Sequence, residues 1–214
     1  MKRVNVGCGI TPTPGWINYD NSPSVRLARY QMLTVVLSRL GLISKGQESL
    51  IHAVRNNDIR WADATTHISL PDASVDVLYS SHMVEHLDRE SAMSFLIEVR
   101  RVLVSNGVVR IVVPDLKKLV AEYLEQGDAD AFIERTLLTR PKPKNILEKL
   151  KYLVVGERLH QWMYDGNSMV RLLIKTGFRD PQILQPGKTF IKDPGLLNLR
   201  ERSEESVYVE AYRR

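Results

Sequence analysis

Arg3-Val4-Asn5-Val6-Gly7-Cys8-Gly9 and Trp16-Ile17-Asn18-Tyr19-Asp20 decide how this chain is read. The first stretch is a short apolar run that breaks at glycine; the second is a β-like run that ends on an acid. The eight residues between Gly7 and Trp16 include Pro12, Pro14 and Gly15. They leave no room for a full helix, although parallel strands normally need a crossover of about a dozen residues. The first crossover helix is therefore expected to be shortened or missing.

Beyond Asp20, apolar residues at Val25, Ala28, Met32, Val36 and Leu40, with Leu33 and Leu37 beside them, follow helical spacing over residues 24–42. Arg26, Arg29 and Arg39 take polar positions, and Gly41 marks the stop. A second helix is expected over residues 47–55, then a strand in Asp58-Ile59-Arg60-Trp61-Ala62-Asp63 that ends on another acid. Leu70-Pro71-Asp72-Ala73-Ser74-Val75-Asp76-Val77-Leu78-Tyr79-Ser80 reads as a turn feeding a strand of the buried, parallel kind. Asp88 is a good N-cap for a helix in which Ala92, Phe95, Leu96, Val99, Val102 and Leu103 share a face, closed by Asn106-Gly107. Residues 108–113 are the most strand-like run, halted by Pro114, with a helix over residues 115–124 behind it. A helix over residues 168–176 stops at Gly177, and residues 206–212 alternate as a final strand. The alternation implies an α/β fold, a Rossmann-like doubly wound sheet that is mostly parallel with an antiparallel last strand and carries helical insertions.

A chain of 214 residues is long enough for one well-buried domain and short for two. The expected organisation is one domain over residues 1–214, with lid or substrate insertions at 22–57 and 127–160. Hydrophobic residues make up 43% and charged residues 26%, which excludes a disordered chain. The longest apolar runs fall far short of the ~20 residues that cross a bilayer. The charged start Met1-Lys2-Arg3 leads into glycines and prolines rather than an apolar segment, so a cytoplasmic location is expected. Cys8 is the only cysteine, which rules out an internal disulfide and a cysteine-built zinc site and agrees with a reducing compartment. The formal charge of +5 points to an anionic partner or to an ordinary solvated basic surface.

Open α/β sheets bind ligands at the carboxyl ends of their strands. The strand-ending residues here are Gly7-Cys8-Gly9, Asp20, Asp63 and Ser80-Ser81-His82. Glycines after the first strand let backbone amides approach a ligand, a carboxylate after the second can accept both hydroxyls of a ribose, and one after the third can accept an adenine amino group. Together they describe a nucleoside site.

In this order the motifs resemble those of the class I S-adenosylmethionine-dependent methyltransferases. The resemblance runs through Val4-Asn5-Val6-Gly7-Cys8-Gly9, Gly15-Trp16-Ile17-Asn18-Tyr19-Asp20, Ala62-Asp63-Ala64, the stretch from Leu70 to Ser81-His82-Met83-Val84-Glu85-His86-Leu87, Glu98-Val99-Arg100-Arg101-Val102-Leu103 and Val112-Val113-Pro114-Asp115. It reaches His160-Gln161-Trp162-Met163-Tyr164-Asp165 and Leu172-Leu173-Ile174-Lys175-Thr176-Gly177-Phe178, and is nearest to small methyltransferases of glycan and cell-surface polysaccharide biosynthesis. It implies S-adenosylmethionine as cofactor, with Gly7, Cys8 and Gly9 lining its methionine and ribose part. Asp20 would hold the ribose hydroxyls, Asp63 with the amide of Ala64 would read adenine, and Ser81 and His82 would sit beside the methyl group. The implied acceptor is a small molecule or glycan hydroxyl. Three features depart from the family pattern: Asn5 replaces the usual acid, Thr11 stands where a third glycine is common, and the helix between the first two strands is missing. The N-terminal lid helices are also expected to be absent, leaving residues 24–42 or 142–159 as candidate lids.

Deprotonating a hydroxyl needs a base, and histidine suits that role. His82, His86 and His160 are candidates, with His82 favoured because it ends the fourth strand and His86 read as an ordinary loop residue. His82-Met83-Val84-Glu85-His86 also fits the H-x-x-E-H zinc pattern. Its position directly after a central strand favours the methyltransferase reading, and no metal is expected. Cys8 is read as a small residue tolerated in a tight loop rather than a nucleophile. Residues 127–159 are the least regular and the most basic, with Arg135, Arg140, Lys142, Lys144, Lys149, Lys151 and Arg158 near Tyr152, Trp162 and Tyr164. They are weighed as an RNA grip and as a solvated or membrane-facing segment. Residues 24–42 are weighed as a weak membrane-surface contact against the commoner reading as core or lid. The alternatives to a glycan or small-molecule enzyme are an RNA or nucleotide methyltransferase and a noncatalytic cofactor-binding scaffold.

Overall fold

A computed structural model describes residues 1–139 and 159–214. Seven strands form one sheet: β1 (Arg3–Val6), β2 (Ile17–Asp20), β3 (Ile59–Trp61), β4 (Val75–Ser81), β5 (Leu103–Pro114), β6 (Phe178–Leu184) and β7 (Ser206–Arg213), in the order β3-β2-β1-β4-β5-β7-β6. The pairs among β1 to β5 are parallel, and β7 lies antiparallel to both β5 and β6. The chain leaves β1 toward β2 and β3, then returns to place β4 on the other side of β1. Such a reversal opens a crevice at the carboxyl ends of β1 and β4.

The β1–β2 crossover is made without a helix, as the sequence predicts. A buried network replaces it. Asn5 donates through Nδ2 to Thr13 Oγ1 at 3.1 Å, the Thr13 amide donates to Asn18 Oδ1 at 2.8 Å, and Asn18 Nδ2 donates to the carbonyls of Thr13 and Trp16. Asn5 and Asn18 are directly paired in register across the two strands. Asn5 thus holds the crossover in place, because its amide can donate to Thr13 where an aspartate carboxylate could not.

Residues 24–42 do not form one helix. They break into α1 (Pro23–Leu27) and α2 (Gln31–Arg39), followed by α3 (Lys45–Asn56). Arg55 of α3 spans the break, its guanidinium donating to the Ala28 carbonyl at 3.1 Å and to Thr34 Oγ1 at 2.7 Å. Val25 and Ala28 at the start of the apolar stripe are buried, but beyond them it is not core among the described residues: α2 buries Thr34 alone, and Met32, Leu33, Val36 and Leu40 are exposed.

The other helices stand where their caps place them. Asp88, Asp115 and Asp165 accept amide protons at the starts of α4 (Arg89–Val102), α5 (Leu116–Gln126) and α7 (Gly166–Lys175), and Gly127 in the left-handed region ends α5. Helix α6 (Ala129–Thr136), capped by Asp128, gives order to part of the segment read as irregular. Residues 140–158, with the lid candidate 142–159 but for its last residue and most of the basic cluster, lie outside the described residues. Strand β6 has no clear strand signal, since Phe178-Arg179-Asp180-Pro181-Gln182-Ile183-Leu184 is interrupted by proline. It is tolerated because β6 is the sheet edge and its register shifts between Arg179 and Gln182. Phe95, Leu96, Val99 and Val102 of α4 and Met169, Leu172 and Leu173 of α7 pack with Val4, Leu78, Val109 and Ile111 of the central strands into the main core. No described helix is long and apolar enough to cross a membrane.

Candidate active site

The strand-end residues lie along the carboxyl end of the sheet, with the glycine loop at the crevice between β1 and β4 and Asp63 beyond the edge strand β3. The amides of Gly7 and Cys8 both donate to the Tyr19 carbonyl, at 2.8 and 3.1 Å, so the glycine loop folds back over the end of β2. Gly7 has φ +74°, and a Cβ there would lie 2.5 Å from Met83 Cγ. Gly9, at φ +50°, faces open space. Gly7→Ala is therefore expected to lower the melting temperature and disturb the turn after β4, losing about 1–3 kcal/mol. Gly9→Ala carries the backbone strain alone, so comparative thermal melts should rank Gly7→Ala clearly below Gly9→Ala.

Asp20 ties this loop to the next element. Its Oδ2 accepts the Gly9 amide at 3.0 Å and its Oδ1 accepts the Ser22 amide at 2.8 Å. Each carboxylate oxygen keeps a second lone-pair direction for a ligand hydroxyl. Asp63 lies two residues past β3; its Oδ1 accepts the amide and hydroxyl of Thr65, and its Oδ2 has no partner among the described residues. Ala64 beside it is buried. Ser81 closes β4 with a buried hydroxyl that has no partner among the described residues. Burial, and then the Asp20 carboxylate, push the Cys8 thiol far above its ordinary range, so it stays protonated and unreactive.

His82 follows Ser81 with a left-handed backbone at φ +48°, an unfavourable conformation for a residue with a Cβ. Its amide donates to the Val112 carbonyl at 2.9 Å, and the ring is held at both ends. Arg202 lies 2.9 Å from Nδ1 and Ser206 Oγ lies 2.9 Å from Nε2. A guanidinium can only donate, so Nδ1 accepts, Nε2 carries the proton, and the imidazole is neutral.

Glu85, to which the sequence assigns no part, and His86, read as an ordinary loop residue, complete the site. After His82 the chain makes a single 3-10 turn, Val84–His86, which turns Glu85 inward. Glu85 is 1% exposed, and its carboxylate lies 3.3 Å from His82 Nδ1 and 4.0 Å from His160 Nε2. His86 packs edge-on against His160 with ring centroids 5.0 Å apart. His160, far along the chain, is brought in by backbone bonds: the amides of Gln161 and Trp162 both donate to the Glu85 carbonyl, at 2.7 and 3.2 Å. Burial lowers the pKa of His160, outweighing the pull of Glu85, and keeps it neutral near pH 7. The H-x-x-E-H pattern and the family motif ending in Glu85-His86-Leu87 are the sequence signals for Glu85 and His86, yet the pair of histidines that meets is His86 with His160, while His82 turns toward β7.

The strand order, with one reversed strand at β7, and the glycine loop facing the turn after β4 are thus both in place. The family described as methyltransferase domain matches residues 35–111, from α2 through most of β5. That stretch belongs to the methyltransferase domain family, and the sheet around it has the Rossmann-like order of the methyltransferase fold. Similar solved structures include an S-adenosylmethionine-dependent methyltransferase from Thermotoga maritima, named a possible histamine N-methyltransferase (15% identity, covering 100% of this chain and 82% of that one, TM-score 0.51). Methyltransferases from Mesorhizobium loti (15%, 99% and 90%, TM-score 0.52) and Methanosarcina mazei (16%, 99% and 92%, TM-score 0.52) are similar to the same degree. At these identities the likeness speaks for the fold. No curated protein matches the sequence.

Proposed function

We propose that this chain is an S-adenosylmethionine-dependent methyltransferase that methylates a hydroxyl of a small molecule or saccharide intermediate, with His82 as the proton acceptor. The observation that supports this most is the packing of Gly7 on Met83, which sets the glycine loop directly beside the turn that carries His82, Glu85 and His86. Bound S-adenosylmethionine supplies a methyl carbon already activated by its sulfonium sulfur. The protein's share is then to align the acceptor and take its proton.

The polar atoms left without partners fit this cofactor. Asp20 offers its remaining lone pairs to the ribose hydroxyls, Asp63 Oδ2 and the Ala64 amide take the adenine edge, and Gly7, Cys8 and Gly9 line the ribose and methionine part. Ser81 offers its hydroxyl next to the methyl position. His82 is neutral and so already has the lone pair a base needs; Arg202, whose side chain is half exposed, releases Nδ1 as the acceptor hydroxyl arrives. Neutral His160 lies beside the Glu85 carboxylate at the edge of the same turn.

Calorimetric titration with S-adenosylmethionine and S-adenosylhomocysteine tests the first half of this reading. Asp20→Ala is expected to weaken binding by about 1–3 kcal/mol through loss of bonds to the ribose and to the Gly9 amide; unchanged affinity would place the ribose elsewhere. An acceptor panel of glycosides, amines and RNA tests the second half. Turnover on glycosides is expected, and turnover confined to RNA or to amines, the acceptor class in the name of the Thermotoga protein, overturns the hydroxyl assignment.

A further inference from the structure

We propose that Glu85, His86 and His160 form a binding site for one divalent metal ion of the zinc type, at the wall of the acceptor pocket. One carboxylate oxygen and one nitrogen from each ring lie within 4.8 Å of one another. Bonds of about 2.1 Å at tetrahedral angles need ligand atoms roughly 3.4 Å apart, so small side-chain rotations close the set.

The strongest indication is Glu85 itself. It is buried, and neither carboxylate oxygen receives a hydrogen bond from the described residues. Among those residues, His82 and His160 alone bring a basic nitrogen within 4.0 Å of it. His82 cannot donate to it, because its Nδ1 lone pair already accepts from Arg202. Arg89 is drawn away over the rings of Trp162 and Tyr164, at 5.0 and 5.8 Å from their centroids. A buried carboxylate in this state calls for a cation.

The two histidines are presented as ligands. His86 Nδ1 faces the Leu159 carbonyl at 3.2 Å; a carbonyl only accepts, so Nδ1 carries the proton and Nε2 is left with its lone pair. That arrangement is the outer-shell bond that fixes the tautomer of a metal-bound histidine. His160 has a buried Nδ1 without a partner among the described residues, and burial favours its neutral, ligating form. The backbone bonds from Gln161 and Trp162 to Glu85 hold the two halves of the site together. Two imidazoles and one carboxylate suit zinc or cobalt better than magnesium or calcium, which prefer all-oxygen shells. Three protein ligands leave a fourth position open, as in catalytic zinc sites.

The inference is independent of the acceptor assignment, and its readout is metal binding rather than turnover. The whole chain, free of any affinity tag, would be stripped with chelator, titrated with Zn2+ by calorimetry and with Co2+ by visible absorption, and analysed by elemental mass spectrometry. One equivalent per chain is expected, with Co2+ bands of tetrahedral intensity. Glu85→Gln and His86→Ala should each weaken binding about a hundredfold or more, since outer-shell changes alone cost tenfold to a hundredfold. Circular dichroism checks that both variants fold, and the wild-type titration stands without them. Absence of stoichiometric metal in the wild type, or binding untouched by both substitutions, overturns the site; failure of every glycoside acceptor would instead overturn the hydroxyl reading and leave the site standing.

Discussion

Arg110→Met is expected to destabilise the protein by about 3–5 kcal/mol, read as a fall in the denaturant midpoint. Arg110 on β5 and Glu210 on β7 are register partners, both fully buried, and their guanidinium and carboxylate meet at 2.6 Å. Removing the cation leaves the Glu210 carboxylate buried with only the Thr189 hydroxyl and the Phe190 amide as donors among the described residues. The same guanidinium also donates to the carbonyls of Lys188 and Leu199, anchoring the long β6–β7 connection to the sheet. Replacing both partners, as Arg110→Met with Glu210→Leu, should recover a large part of the loss because no unpaired charge remains. A single variant within about 1 kcal/mol of wild type would show that water reaches Glu210.

The anchoring bears on function, because the β6–β7 connection delivers Arg202 to His82 and also carries Glu201, which receives the Tyr79 hydroxyl at 2.5 Å. Arg110→Met should therefore lower turnover even at temperatures where the protein stays folded.

His82→Ala is expected to lower turnover by about 10²–10⁴-fold while leaving affinity for S-adenosylmethionine nearly unchanged. The proposed base acts on the acceptor, and Asp20 and Asp63, proposed to hold the cofactor, lie at or beyond the ends of other strands. The His82 backbone sits at φ +48°, so alanine there keeps the strain and loses the bonds to Ser206 and Arg202. His82→Asn is the better control, since asparagine tolerates the left-handed region and lacks a base. Both variants should lose kcat together; normal turnover in both would remove His82 from the chemistry. Loss in alanine alone would assign His82 to the architecture of the turn.

Much of the site was legible from local signals. Glycine at Gly7 and Gly9 and acids at Asp20 and Asp63 follow directly on strand runs, so knowing where the strands end placed them along the carboxyl end of the sheet. Asp88 as a helix cap, and Gly41 and Gly177 as stops, are likewise properties of a few consecutive residues; the stop expected at Asn106-Gly107 was not met, because α4 ends at Val102 and those two residues lie inside β5. The break at Ala28 was not legible, and Arg55, which spans it, belongs to another helix. Nor was β6, whose proline is acceptable only at an edge, and edges are a property of the finished sheet.

The mostly parallel α/β sheet and the helix-free first crossover were readable from the chain alone, since both rest on short-range chemistry: φ-permissive glycines, prolines and apolar periodicity. Only the tertiary structure decided which polar groups would be buried together. Arg110 inside an apolar strand finds Glu210 far along the chain, and Glu85, one acid in a short turn, is enclosed by His82, His86 and a histidine from a distant segment. A buried charge is stable only in the company of its partner, and that company is assembled by the packing of the whole sheet.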